Sequence, residues 1–166
     1  MTRISVALCT YNGVRYLAQQ LESIVRQTRP PDELVLCDDA STDSTVSLLR
    51  NFASHAPFPV HIRVNERNVG STLNFDQALR TCSGDLIALS DQDDVWQPSR
   101  LERSAAELEV RPDAGLLFSN GFRIDERGET GEALLWHSFH FHGPVKESFL
   151  AGDYSVLLKH RFITGA

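Results

Sequence analysis

Three aspartates stand close together directly after an apolar run. Asp91, Asp93 and Asp94 follow Leu86–Leu89 in the stretch Ser-Asp-Gln-Asp-Asp. Carboxylates at this spacing repel one another, which costs stability unless a positive charge lies among them. Oxygen ligands without nearby Cys or His favour Mg²⁺ or Mn²⁺, and such ions take one or two protein carboxylates together with water and phosphate oxygens. The spacing predicts a metal site that faces a diphosphate; the alternative is a solvated turn that begins a helix.

A second acidic pair, Asp38 and Asp39, also ends an apolar run, and Ser41-Thr42 after it is expected to cap a helix. One carboxylate of the pair could serve the positive end of that helix. Two in succession are more than capping requires. A buried carboxylate here could accept the imide N–H of a uracil or thymine ring, a contact of the kind that sets ligand identity.

Apolar periodicity predicts that strands and helices alternate along the first two thirds of the chain. The predicted strands are Ile4–Cys9, Glu33–Cys37, Val60–Val64, Leu86–Leu89 and Gly115–Phe118. The predicted helices run from Tyr16 to Arg26, from Ser41–Asp43 through Phe52, through Leu73 and Leu79 to near Gly84, and from Pro98 to Pro112. This order indicates an α/β fold whose mostly parallel central sheet carries helices on both faces.

The predicted sheet places the polar segments together. In open α/β sheets, ligands bind at the carboxyl ends of the strands. Thr10-Tyr11-Asn12, Asp38-Asp39 and Asp91–Asp94 each follow a strand directly. We therefore expect all three segments to line one crevice.

Four motifs in succession carry a family resemblance: Val6–Asn12, Leu34–Asp43, Asn68–Gly70 and Ala88–Asp94. In this order they strongly resemble family 2 glycosyltransferases, which have the GT-A fold, and four ordered motifs are far more specific than any one. The resemblance covers about the first 120 residues. It implies a nucleotide-sugar-binding core over residues 1–120 and the beginning of an acceptor-side region over residues 121–166.

The resemblance also implies roles for individual residues. Thr10 and Tyr11 border the nucleotide base, and Asp39 meets the pyrimidine ring. Asn12 and Asp38 also bind the nucleotide, and Asn68 and Gly70 belong to the loop near it. Asp91 and Asp93 match the family's DxD motif, so that Asp91 faces the ribose or donor sugar and Asp93 binds the metal, with Asp91 beside it. Asp94 is expected to cap the following helix.

The activity implied is sugar transfer, with inversion, from a UDP- or dTDP-sugar to a saccharide or lipid-linked acceptor, with Mg²⁺ or Mn²⁺ as cofactor. The motif Asp-Gln-Asp-Asp-Val-Trp also resembles bacterial surface-polysaccharide transferases, including rhamnosyltransferases. In the family the catalytic base lies after the matched region, which places it beyond Ala166; Asp153 is the alternative within the sequence. Ile163–Ala166 falls in the middle of an element, which predicts that the chain continues.

Two other functions compete with this interpretation. A nucleotidyltransferase also uses aspartates and Mg²⁺ on an α/β sheet, but Thr10 to Tyr16 lacks the glycine-rich basic loop of such enzymes. A non-catalytic nucleotide-sugar-binding module is the second alternative. A dehydrogenase is disfavoured because no GxGxxG motif begins at Gly13.

Composition narrows the class of protein further. The 166 residues are 42% hydrophobic, enough for one core, and 22 acidic against 16 basic residues form no long block that would indicate nucleic acid or anionic membrane as a partner. No apolar run approaches the roughly 20 residues of a membrane span. We predict a cytoplasmic domain, with the inner face of the membrane as the alternative location. Cys9, Cys37 and Cys82 are predicted to be reduced core residues.

Several other polar and aromatic residues each have two possible interpretations. His137, His140 and His142 are metal ligands or, the favoured interpretation, exposed residues of a long loop over Trp136–Gly143. Trp96 either stacks on a ligand or anchors its loop, and Arg67 either approaches phosphate or is a solvated surface residue. A turn is predicted at Asp125–Gly128 and a helix within Val145–Leu158.

Overall fold

The computed structural model describes residues 2–125 and 128–156, and the chain divides into two compact units, residues 1–114 and 115–166. The first unit holds β1 (Ile4–Thr10), β2 (Glu33–Asp38), β3 (Val60–Val64), β4 (Leu86–Ser90), α1 (Leu17–Val25), α2 (Thr45–Ala53), α3 (Ser71–Thr81) and α4 (Arg100–Glu109). The strand order is β3-β2-β1-β4 and every pair is parallel. The predicted α/β class and the first four strands are confirmed.

Helices cover both faces of this sheet, as predicted. Side chains alternate across a strand, so β1 sends Val6 and Leu8 to one face and Ala7 and Cys9 to the other. The first face packs against apolar residues of α1, α2 and α4, among them Leu17, Leu21, Leu49 and Leu101. The second face packs against α3 through Ala78 and Phe75.

Two helices begin later than predicted, and before the first of them a polar side chain holds the loop instead. The helix expected to open at Ser41 begins at Thr45, and the Ser41 hydroxyl donates to Asp38 at 2.5 Å. The helix expected from Pro98 begins at Arg100 after Ser99. The prediction that Asp94 caps this helix is wrong, since Ser99 is the residue at the N-cap.

The second unit contains β5 (Phe122–Ile124), β6 (Thr130–Leu134), α5 (Leu135–Ser138) and α6 (Pro144–Leu150), with β5 and β6 antiparallel. The strand predicted over Gly115–Phe118 is wrong: within the described residues this segment pairs with no strand. Its last residue, Phe118, contacts the rings of Trp136 and Phe149 at centroid distances of 5.9 and 5.6 Å, whereas Leu116 and Leu117 are exposed. A short apolar run therefore fixes neither a hydrogen-bonding partner nor burial.

The long loop predicted over Trp136–Gly143 is also wrong in part, because this segment includes most of α5 and the buried Phe141. Trp136 and Phe141 pack edge to face at 5.0 Å, so aromatic contacts without helical periodicity order the segment. The predicted helix within Val145–Leu158 is present as α6, which ends at Leu150. The last residues of that prediction, 157 and 158, and the segment Ile163–Ala166 lie outside the described residues.

Two smaller features complete the fold. Gly128 N donates to Asp125 O at 2.9 Å, as expected for the predicted turn, whose central residues 126 and 127 are not described. Across the part of the chain that the structure describes, no helix combines the length and apolar character that a bilayer crossing requires.

Gly84 approaches the backbone of β1 too closely for a larger residue. Its N–H donates to Ser5 Oγ at 2.8 Å, and a Cβ at this position would lie 2.7 Å from the Ser5 backbone nitrogen. We expect Gly84→Ala to lower the free energy of unfolding by about 1–3 kcal/mol, because backbone of the central strand must shift. Urea denaturation measures this change.

Gly115→Ala is the matched control, because a Cβ there meets nothing within 4 Å. We expect its free energy of unfolding to stay within about 1 kcal/mol of the unsubstituted chain. Equal losses in the two variants would contradict the steric explanation.

Candidate functional site

The carboxyl ends of β1, β2 and β4 and the beginning of α3 border a cavity of about 230 Å³. Its lining residues are Cys9, Thr10, Tyr11, Asp39, Asn68, Gly70, Ser71, Asn74, Phe75, Asp91, Gln92 and Asp93. The predicted site residues are all among them except Asn12 and Asp38. Parallel pairing therefore brings together segments that are up to about 80 residues apart in the sequence, as parallel βαβ topology dictates.

Asn12 and Asp38 hold the loops that border the cavity. The Asp38 side chain is fully buried and accepts from Thr10 Oγ1 at 2.7 Å and from Ser41 N at 2.8 Å. Asn12 has a φ of +48°, a conformation that Asn tolerates better than most residues, and its Oδ1 accepts from Thr42 N at 2.8 Å. Both side chains thus tie the loop after β1 to the loop after β2.

Asp39 is buried, with 3% of its surface exposed, and its charge is met by three donors. Oδ1 accepts from Asn65 Nδ2 at 2.9 Å and from Val69 N at 2.8 Å, and Oδ2 accepts from Gly70 N at 2.8 Å. Burial alone would raise the pKa of Asp39, but these hydrogen bonds outweigh it and lower the pKa. A carboxylate has about four acceptor positions, so Oδ2 retains one for a further donor.

Two asparagines that sequence reasoning missed support Asp39. Asn65 Nδ2 also donates to Asn74 Oδ1 at 3.0 Å, and Asn74, 1% exposed, donates from Nδ2 to Cys37 O at 2.8 Å. Asn74 lies four residues before Ala78, on the buried side of α3. A polar side chain on the apolar face of a helix was the signal that could have identified it.

The aspartates after β4 lack the compensation that Asp39 has. Burial, and then repulsion from Asp93, raises the pKa of Asp91. Burial, followed by repulsion from Asp91 and Asp93, raises the pKa of Asp94 to about 6, although Arg100 opposes this. The Asp94 Oδ2 atom is buried and accepts no hydrogen bond from the described residues. This half of the cavity holds negative charge for which the described residues supply little counter-charge.

The segment that carries these aspartates is anchored to α1 by a buried amide. Gln20 is fully buried, and in the amide orientation that satisfies both ends it donates to Asp94 O at 2.6 Å and accepts from Ser90 Oγ at 2.5 Å. It also accepts from Trp96 Nε1 at 3.2 Å. Trp96 is 4% exposed and lies under the Arg100 guanidinium at 4.5 Å, so it is a packing anchor and not a stacking surface for a ligand.

The other residues with open alternatives are not among the residues that line the cavity. Arg67 is exposed. His137, His140 and His142 are exposed in the second unit, with ring centroids 5.2 Å apart for His137 and His142. Among residues 2–125 and 128–156, no three His, Cys, Asp or Glu side chains converge on one point as a closed metal cage would require. An open site with one or two carboxylates and ligand oxygens needs no such cage.

The three cysteines are free thiols. Cys9 and Cys37 are buried as predicted, and Cys82 is half-buried. Burial raises the pKa of each thiol, that of Cys82 to about 11, which keeps them protonated near neutral pH. Cys9 also borders the cavity, a position that its apolar surroundings in the sequence did not indicate.

Comparison with known proteins gives consistent similarities. The model of the family described as Glycosyl transferase family 2 matches residues 5–159. A putative glycosyltransferase of Bacillus subtilis, EpsE, is 35% identical over 133 residues, which cover 80% of this chain and 48% of that protein. An uncharacterized glycosyltransferase of Nostoc is 30% identical over 138 residues, which cover 80% of this chain and 42% of that protein. The chain thus spans less than half the length of these relatives.

Solved structures show the same similarity. S. aureus TarS in complex with UDP-GlcNAc superimposes with a TM-score of 0.61 at 26% identity, over 66% of this chain and 32% of that one. The mannosyltransferase PcManGT of Pyrobaculum calidifontis, in complex with GDP-Man and Mn²⁺, gives a TM-score of 0.61 at 29% identity, over 64% of this chain and 32% of that one.

The lowered pKa of Asp39 predicts how the free energy of unfolding depends on pH. The ionised carboxylate stabilises the folded state above the ordinary aspartate pKa, and this contribution is lost as pH falls through the lower folded-state pKa. We expect Asp39→Asn to lower the free energy of unfolding by about 1–3 kcal/mol at pH 7, since a donor replaces one acceptor. The deficit should shrink between pH 5 and pH 3, measured by urea denaturation with EDTA present.

Replacing Asp94 with Asn should change the free energy of unfolding in the opposite direction. Because its folded-state pKa is raised to about 6, the folded chain loses stability as pH rises from about 4 to 6. Asp94→Asn removes this loss and should become the more stable chain by about 1–3 kcal/mol at pH 7, after allowance for solvent screening. Parallel pH trends for the two variants would contradict these assignments.

Proposed function

The chain belongs to glycosyl transferase family 2, and we propose that its cavity binds the nucleotide of a UDP- or dTDP-sugar together with Mg²⁺ or Mn²⁺. The sugar is then transferred, with inversion at the anomeric carbon, to a saccharide or lipid-linked acceptor. The stretch Asp91–Trp96 resembles bacterial surface-polysaccharide transferases, which supports a role in cell-surface polysaccharide synthesis. Family membership sets the nucleotidyltransferase alternative aside.

One observation carries the proposal: Asp39, Asp91 and Asp93 line the same cavity although they follow two different strands. The free acceptor position on Asp39 suits the imide N–H of a pyrimidine, and Gly70 and Asn74 line the same cavity. Asp91 suits the ribose or donor sugar, and Asp93 the metal ion. Thr10, Tyr11 and Asn68 complete the lining around the base.

The acidic residues fit a divalent cation. Asp91 and Asp93 offer carboxylate oxygens on the cavity lining, which hard cations prefer, and burial followed by repulsion from Asp93 raises the pKa of Asp91. When bound, the cation would neutralise charge on the departing diphosphate.

The nucleotide base of the sugar donor is the least constrained part of the ligand. Structural neighbours of this chain are solved with UDP-GlcNAc and with GDP-Man, so the shared fold accepts both pyrimidine and purine donors. Guanine also presents an N–H to a carboxylate.

We assign no catalytic base among the described residues. Asp153 accepts a hydrogen bond from Ser155 N at 3.1 Å and is not among the residues that line the cavity. This is the reason for a second candidate function, in which this stretch of chain binds the donor without transferring the sugar. Incubation with UDP- and dTDP-sugars and a saccharide acceptor panel separates the two, and the anomeric configuration of any product tests inversion.

Calorimetric titration of UDP and dTDP, with and without Mn²⁺, tests the proposed site. We expect Mn²⁺ to tighten binding of one of them, and Asp93→Asn to weaken binding in Mn²⁺ by about tenfold or more, since the variant loses an anionic ligand while the side chain keeps its size. Nucleotide should also raise the free energy of unfolding of the unsubstituted chain, by about 2.7 kcal/mol at a hundredfold excess over Kd.

Asp113→Asn is the matched control, because Asp113 is exposed and does not line the cavity. Its affinity should equal that of the unsubstituted chain. Binding that is independent of Mn²⁺ and unchanged by Asp93→Asn would refute the metal role of Asp93.

A further inference from the structure

The residue between the two cavity aspartates makes a reciprocal contact across the site. Gln92 Oε1 accepts from Tyr11 N at 2.8 Å, and Gln92 Nε2 donates to Tyr11 O at 3.1 Å. Both residues line the cavity, Tyr11 from the loop after β1 and Gln92 from the loop after β4. One side-chain amide therefore joins the two loops through a pair of hydrogen bonds to a single backbone residue.

Gly13 leaves the space that this contact occupies. It is buried, and a Cβ on it would overlap the amide oxygen of Gln92 and lie 2.5 Å from its Cδ. Its N–H donates to Thr45 Oγ1 at 2.9 Å and its carbonyl accepts from Leu17 N at 3.1 Å, so its backbone is held from two directions. The absence of a side chain at residue 13 is thus matched to the position of the Gln92 amide.

We propose that Gln92 is a positioning residue that fixes the loop of Asp91 and Asp93 relative to the loop of Tyr11, so that the two ends of a nucleoside diphosphate are bound together. The inference rests on the proposed function, in which the base lies beside Tyr11 and Asp39 and the diphosphate and cation lie beside Asp93. A ligand that spans two sites gains affinity only when their spacing matches its own. The reciprocal amide contact sets that spacing.

The chemistry of the contact explains why an amide suits this position. Only a side chain with both a donor and an acceptor can pair with the N–H and the carbonyl of one residue. A glutamate would lose the donated bond and add a third negative charge between Asp91 and Asp93, which would raise their repulsion. A glutamine supplies both bonds without charge.

Two variants break the contact from opposite sides. Gln92→Met keeps the length of the side chain and removes both hydrogen bonds, whereas Gly13→Ala keeps Gln92 and displaces its amide. We expect either variant to weaken UDP or dTDP in Mn²⁺ by about tenfold, which corresponds to about 1.4 kcal/mol. The matching nucleoside, uridine or thymidine, engages only the base end, and its affinity should stay within about twofold.

The double variant and a control make the test specific. Because both substitutions break one contact, the combined loss should equal either single loss, about tenfold rather than hundredfold. Gln97→Met is the control, since Gln97 is exposed and its side chain makes no hydrogen bond to the described residues; its affinities should not change.

Four results would overturn the inference. Diphosphate affinity that is unchanged in Gln92→Met removes the positioning role, and equal losses for nucleoside and diphosphate indicate general damage to the cavity. Additive losses show that Gly13 and Gln92 act separately. If the unsubstituted chain binds neither UDP nor dTDP with Mn²⁺, the proposed function itself fails and the positioning role fails with it.

Discussion

The parallel pairing of β1 with both β2 and β4 gathers negative charge at one edge of the sheet, and the site depends on how that charge is met. At the end of β2, Asp39 receives three hydrogen bonds from the segment Asn65–Gly70 and is stabilised within the fold. At the end of β4, burial and then repulsion among neighbouring carboxylates raise the pKa of Asp91 and of Asp94, although Arg100 opposes the rise at Asp94. The fold itself supplies hydrogen bonds to the Asp39 carboxylate, whereas the carboxylates after β4 suit a positively charged ligand.

Buried neutral side chains keep the two halves in place. Gln20 joins α1 to the segment after β4, and Asn74 joins α3 to β2 and, through Asn65, to Asp39. Each amide is almost completely buried and uses both its donor and its acceptor, so displacing it would leave polar atoms unpaired in the core. Such contacts make the positions of the cavity loops part of the stability of the fold, a condition that precise binding sites require.

The two compact units are stabilised by different kinds of contact. The first is built on hydrogen-bonded parallel strands with apolar residues alternating between two faces. The second draws on edge-to-face contacts among Phe118, Trp136, Phe141 and Phe149, around short helices and one antiparallel strand pair. Aromatic packing tolerates irregular backbone better than a hydrogen-bonded sheet does, because ring contacts do not require a regular strand register.

The sequence by itself determined the order of strands and helices in the first unit, because apolar residues with periods of 2 and 3.6 record which side of each element is buried. It also determined that Asp39, Asp91 and Asp93 share one edge, since consecutive parallel strands all end there. Tertiary structure alone decided that Asp38 and Asn12 hold loops, that Trp96 packs below Arg100, and that Gln92 pairs with Tyr11. These outcomes depend on contacts between residues distant in the sequence, and local periodicity carries no information about such contacts. The segment after residue 114 was predicted least well for the same reason: its order comes from aromatic rings that meet in space without a regular spacing along the chain.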